Sequence, residues 1–187
     1  TDRHSGLNLL HLCYCLQCHL MLKFIKYHML PIAVFLTGAC VLVVEIAATR
    51  VLSPFYGNTI FTVSSVISVI LAALSVGYYI GGRLADRHAS LRVFFDIILL
   101  SGLALLLFHS IGLVILPILG YLLPISVGPL ISSLLLFFIP AFLLGTLSPY
   151  AVKLQSINAP EQGVGSVSGG IFFWSTLGSI TGSLVAG

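Results

Sequence analysis

The sequence predicts an all-α, polytopic transmembrane helix bundle of about five spans. Three observations carry that reading. Of 187 residues, 58% are hydrophobic and only 7% charged, where a soluble domain carries roughly 25% charged residues. The mean hydropathy is +1.14, too high for a chain that must cover itself with a polar exterior. The apolar runs are unbroken and near the length that crosses about 30 Å of hydrocarbon as helix, not the alternating ten-residue strands of a membrane barrel. Helices satisfy their own backbone hydrogen bonds where there is no water. The net charge of +3 sits at a few loops, a pattern of membrane topology and not the broad basic face that nucleic acid requires.

Residues 1–20 differ in character from the rest of the chain and read as a non-native or disordered extension, with Met21 resembling a natural start and residues 21–187 forming the integral membrane domain. Thr1 and Gly187 both read as edges within a longer polypeptide. Cys15-Leu-Gln-Cys18-His19 matches the C-x-x-C-H pattern of haem attachment. A pattern this short recurs by chance, and no polar, haem-sized surround accompanies it, so no cofactor and no metal site is assigned. Cys13, Cys15, Cys18 and Cys40 show no pairing pattern.

Lys23 and Lys26 precede a first span from Pro31 to about Ala48. Thr37-Gly-Ala-Cys40 imitates a signal cleavage site, but the apolar run continues past it, as a cleaved signal's does not. The span is therefore retained, and Cys40 is expected to be a small buried residue. Glu45 lies inside this span, and an ionisable group in lipid is a functional candidate by default; the alternative is an interfacial carboxylate bonded to neighbouring helices or headgroup water. Arg50 comes five residues later, a spacing that turns a helix about 140°, so the two do not share a face, whereas Thr49 does share it.

Ser53 to Asn58 reads as a loop, with Pro54 and Gly57-Asn58 as breakers. The second span runs from Thr59 to Gly82. Two small-residue ladders lie on it, Ser64/Ser68/Ala72 and Ala73/Gly77/Gly81, spaced to let helix backbones approach. The next segment, Gly82 to Arg92, concentrates Arg83, Asp86, Arg87 and Arg92. With Lys23 and Lys26 it places both flanks of the first two spans on the cytoplasmic side by the positive-inside rule. Asp86 is expected to cap the third helix or to pair with Arg83 or Arg87, and Asp96 to meet Arg92 at i+4.

A third span covers Phe94–Leu116, with His109 read as packed or interfacial. Residues 117–128 read as an apolar connection or re-entrant segment at the outer face, and a fourth span covers Leu130–Tyr150 with a kink at Pro140. Two spans in this region put Lys153 on the cytoplasmic side. Ser156–Gly165 is a polar loop. The last span, Val167–Gly187, carries Ser175/Ser179/Ser183 and Gly178/Gly182/Ala186 ladders suited to tight packing.

Two resemblances rest on these motifs. Gly82-x-Leu84-Ala85-Asp86-Arg87 resembles the loop between the second and third helices of major facilitator superfamily transporters, departing from it at Ala89 and Ser90. Leu36-Thr-Gly38-Ala, Glu45 through Gly57, Leu74 through Arg87, Pro140 through Pro149 and Ser175 through Gly182 resemble the membrane domain of fused spermidine synthase-like proteins, with Val63 standing where that family's tryptophan is expected. The second resemblance implies a bacterial inner membrane, a fold like part of a major facilitator half, and a downstream aminopropyltransferase domain. The sequence holds no glycine-rich nucleotide turn and no paired carboxylates for acid–base chemistry, so no catalytic residue is assigned. The candidate binding residues are Glu45, Arg50, Arg83, Asp86 and Arg87, and the expected partners are the lipid bilayer, a C-terminal catalytic domain or a second copy of the chain, with no nucleic acid. A part of a small-solute or polyamine transporter is the alternative function, resting on the facilitator-like loop and on Glu45.

Overall fold

The computed structural model describes the backbone of residues 3–187 and the side chains of residues 29–187. The readings of residues 1–20 as an extension, and of Cys13, Cys15 and Cys18, fall on side chains outside the described residues. The described backbone is all-helical: α1 (Arg3–Tyr56), α2 (Ile60–Arg87), α3 (Leu91–Leu122), α4 (Gly128–Asn158) and α5 (Val164–Ala186). Each is long and apolar enough to cross a membrane, α1 through its Met29–Tyr56 portion. Leu99, Leu103, Leu106, Leu113 and Val114 of α3 stand exposed, as do Leu184 and Val185 of α5. Exposed apolar surface on this scale is what a multi-pass membrane protein presents to lipid.

The turns are shorter than the composition suggests. Ser53–Tyr56, read as loop, is the last turn of α1, with Pro54 inside the helix. Gly57 then stops it: its φ of 76° lies in the left-handed region and its N–H donates to the Ser53 carbonyl at 2.8 Å, a helix stop that glycine accepts without steric cost. Thr59 starts α2 by accepting from the Thr62 N–H. The Gly82–Arg87 segment is the last part of α2, so only His88–Ser90 forms the turn. Residues 117–122 extend α3 through Pro117, and α4 runs on through Pro140 and Pro149. Ser90, and not Asp86, caps α3 by accepting from the Arg92 N–H.

α4 is the hub. It packs against each of the other four helices, while α3 is peripheral and leans mainly on α4. Two helix pairs dominate, α2 with α4 and α1 with α5. In lipid the hydrophobic effect does not drive helices together, so pairing depends on close backbone approach. The glycines show where that approach occurs. A Cβ on Gly77 would lie 2.5 Å from the Phe142 carbonyl oxygen, and one on Gly81 would lie 2.5 Å from that of Thr146. Across the other pair, a Cβ on Gly38 would collide with the Ser175 carbonyl, on Gly178 with that of Phe35, and on Gly182 with that of Ala39. The Ala73/Gly77/Gly81 ladder is thus the packed one, whereas Ser64, Ser68 and Ala72 are exposed. Cys40, expected to be buried, is exposed too, because α1 turns its Val34, Gly38, Ala48 and Leu52 side inward.

Because backbone atoms cannot yield as a flexible side chain can, Gly178→Ala is expected to destabilise the bundle by about 1–3 kcal/mol, the range for overpacking. A Cβ on Gly102 meets nothing within 4 Å, so Gly102→Ala should be neutral or stabilise by up to about 1 kcal/mol through helix propensity. Denaturant titration of both variants in micelles, followed by helicity, checks the contrast; equal behaviour would refute close packing at Gly178.

Candidate functional site

The five sequence candidates fall into three separate places. Arg83, Asp86 and Arg87 lie exposed at the end of α2. Asp86 pairs there with Lys153 of α4 at 2.8 Å, not with Arg83 or Arg87. The Arg83 guanidinium instead lies 4.3 Å from the centre of the Tyr79 ring, one helical turn earlier, where the ring's negative face attracts it. Arg92 and Asp96 are both exposed and form no ion pair among the described residues. Arg50, at the other end of the bundle, donates to the Gly187 carbonyl at 2.9 Å.

The α2–α3 turn is held by a residue that sequence reasoning passed over. Tyr150 is fully buried and stacks on Phe94 at a centroid distance of 6.1 Å. Its hydroxyl donates to the His88 carbonyl and accepts from the Ser90 N–H, the latter at 3.1 Å. Together with the Asp86–Lys153 pair this gathers the C-termini of α2 and α4 and the N-terminus of α3 at one end. Tyr56, near the start of α4 at the opposite end, bonds the Ser132 hydroxyl at 2.9 Å.

Glu45 is the candidate that the fold builds around. It lines a cavity of about 270 Å³ to which four helices each contribute one stripe. α1 supplies Thr37, Val41 and Glu45 at four-residue spacing, and α2 supplies Leu71, Leu74 and Tyr78. α4 adds Leu144, Gly145 and Ser148, and α5 adds Phe172, Ser175, Thr176 and Ser179. The spacings of three, four and seven keep each set on one helical face. The cavity lies where the α1–α5 and α2–α4 pairs meet, so the glycine contacts that join each pair also set its walls.

Some polar groups of the lining are already committed. Thr37 donates to the Val34 carbonyl, Thr176 to that of Phe172, and Ser179 across the helix pair to that of Gly38 at 3.0 Å. Among the described residues, no ion pair or hydrogen bond reaches the Glu45 carboxylate, nor the hydroxyls of Tyr78, Ser148 or Ser175. One carboxylate with three free hydroxyls, walled by Leu and Phe side chains, suits a small cation with N–H donors. Among the described residues no three His, Cys, Asp or Glu side chains gather, whereas a hard divalent cation takes six to eight oxygens with several carboxylates. Thr49, which shares the Glu45 face, bonds the Ile46 carbonyl instead and does not line the cavity. Ser175 was legible only as a rung of a packing ladder, and the signal that joins it to Tyr78 and Ser148 is tertiary.

Tyr150→Phe removes the hydroxyl bonds to the turn, while the Ser90 N–H keeps the His88 carbonyl at 2.9 Å, and should cost about 0.5–1.5 kcal/mol, the net worth of a hydrogen bond. Lys153→Ala breaks a pair whose side chains are 41% and 68% exposed and should cost at most about 1 kcal/mol. Unfolding titrations of the two variants side by side test that order, and a costlier Lys153→Ala would reverse the roles of tyrosine and ion pair.

Comparison of the chain with protein-family models, with curated proteins and with solved structures finds no match.

Proposed function

We propose that this chain is the membrane module of a spermidine synthase-like protein, anchoring a downstream aminopropyltransferase domain, and that the Glu45 cavity binds a protonated amine. The observation that carries the reading is the Glu45 carboxylate, lining a cavity within the bundle with no cationic partner among the described residues. A charge at membrane depth is costly and is retained where it faces a cavity or an ion pathway. A primary ammonium supplies the missing charge and three N–H donors, and the hydroxyls of Tyr78, Ser148 and Ser175 can accept them.

The sequence resemblance supports the same reading. Gly38, Glu45, Leu74, Tyr78, Gly145, Ser148, Ser175 and Ser179 belong to the motif segments, and all of them line this one cavity. Gly77, Gly81, Gly178 and Gly182 belong to those segments too, and they are the close-approach points of the two helix pairs. An aminopropyltransferase consumes and releases amines, so an amine site in its membrane module would couple the enzyme to amine in or across the bilayer.

The cavity also supports the second reading, part of a facilitator-like transporter, since it lies between two helix pairs and transporters hold solute between units that rock against each other. The proposed setting is a bacterial inner membrane. Arg83, Arg87, Arg92 and Lys153 lie at one end of the bundle, which the positive-inside rule assigns to the cytoplasm together with the N-terminus.

Reconstituted into vesicles, the chain should bind labelled putrescine or spermidine, and Glu45→Gln should weaken binding on the order of ten- to a hundredfold, the worth of a charge-assisted hydrogen bond. Equal binding by the two proteins would refute the site. Uptake into the vesicle lumen that depends on Glu45 would select the transporter reading, and binding without uptake the anchoring module. Reporter fusions should place Arg87 and Lys153 in the cytoplasm and Gly57-Asn58 outside; an external Lys153 would overturn the orientation.

A further inference from the structure

A second, larger cavity of about 450 Å³ opens at the α4–α5 turn, at the same end of the bundle as Lys153. Its lining joins Pro31 and Ile32 of α1, Gln155 of α4, Gln162 of the turn, and the Ser166–Trp174 face of α5. Gln155 is the residue without an explanation. It is only 8% exposed, and its side-chain oxygen Oε1 is buried with no hydrogen-bond partner among the described residues. A buried amide oxygen left unpaired costs about 1–3 kcal/mol, and native structures leave few such groups without a water, ion or ligand to account for them.

The chemistry of the lining narrows what that group is. The orphan atom is an acceptor, so it needs an N–H or O–H donor. Trp174 lines the same space, and an indole ring attracts a cation. Among the described residues no carboxylate lines the cavity, and the neutral side chains of Gln162 and Ser166 are its other polar members; a cation entering it brings its own counter-charge. Val167 and Ile171 supply apolar wall, and Ile32 stands 59% exposed beside the opening, a surface suited to an acyl chain. The cavity lies at an end of the bundle, where headgroups meet the helices, and its volume is that of an ordinary small-ligand site.

We infer that the Gln155 cavity is a binding site for a zwitterionic primary ammonium, the headgroup of an aminophospholipid, whose ammonium donates to Gln155 Oε1, brought to the cavity wall by rotation of that side chain, against Trp174 and whose acyl chains run along Ile32. The site is separate from the Glu45 cavity and does not depend on what binds there.

Native mass spectrometry of the full chain in detergent, with phosphatidylethanolamine and phosphatidylcholine added in equal amounts, tests this. The trimethylated choline has no N–H donor, so the two lipids differ at the group in question. The measurement is made in the Glu45→Gln background, which removes amine held at the other cavity. Phosphatidylethanolamine should be retained at least fivefold over phosphatidylcholine. Gln155→Leu should bring that ratio to about one, while Gln155→Glu, which keeps an acceptor and adds charge, should keep or raise it. The Glu variant guards against loss through misfolding, since a misfolded chain would not gain selectivity. Free O-phosphoethanolamine at millimolar concentration is the competing arm: failure to displace the lipid supports the lipid headgroup as the source, whereas full displacement overturns it in favour of a soluble zwitterion at the same atoms. Equal retention of the two lipids, or a preference unchanged by Gln155→Leu, overturns the site itself.

Discussion

The structure depends on backbone-to-backbone contact between helices at glycine. In an apolar solvent a leucine gains nothing by leaving lipid for protein, so association must come from packing and from hydrogen bonds between helices. Gly77 and Gly81 bring α2 onto α4, and Gly38, Gly178 and Gly182 bring α1 onto α5. The approach at the second pair is close enough for Ser179 to reach the Gly38 carbonyl. The bundle is therefore two tightly joined pairs, with α3 leaning on α4, and the Glu45 cavity is what remains where the pairs face each other.

Polar side chains then fix the ends of the bundle. Tyr150 clasps the α2–α3 turn from α4, and Tyr56 reaches Ser132 across the opposite end. Both hydroxyls belong to buried side chains, where a satisfied hydrogen bond is retained because its loss would strand a polar group. The exposed Asp86–Lys153 pair points to the same arrangement, but water and salt weaken it. Register along the bundle thus owes more to two tyrosines than to the charges that stand out in the sequence.

This division explains which expectations held. Helix number and type were legible because composition and run length determine them locally. Turn boundaries were not. Proline and arginine marked Ser53–Tyr56 and Gly82–Arg87 as loops, yet both segments stay helical until an actual stop, Gly57 in one case and the three-residue His88–Ser90 turn in the other. Asp86 had two oppositely charged neighbours in sequence and chose neither, because Lys153 approaches from another helix. Both ladders on α2 have the same spacing, and only the one facing α4 is packed. Periodicity reports that a face exists, and not what covers it.

The sequence by itself determined a multi-pass helical membrane protein with one carboxylate inside its first span, since solvent preference and hydrogen-bond self-sufficiency are properties of each helix alone. Only the tertiary structure decided that Glu45 looks into a cavity shared with Tyr78, Ser148 and Ser175, and that the Gln155 side-chain oxygen is buried without a partner among the described residues. Those facts arise from residues on different helices brought together by backbone packing, and no spacing along one chain segment encodes them.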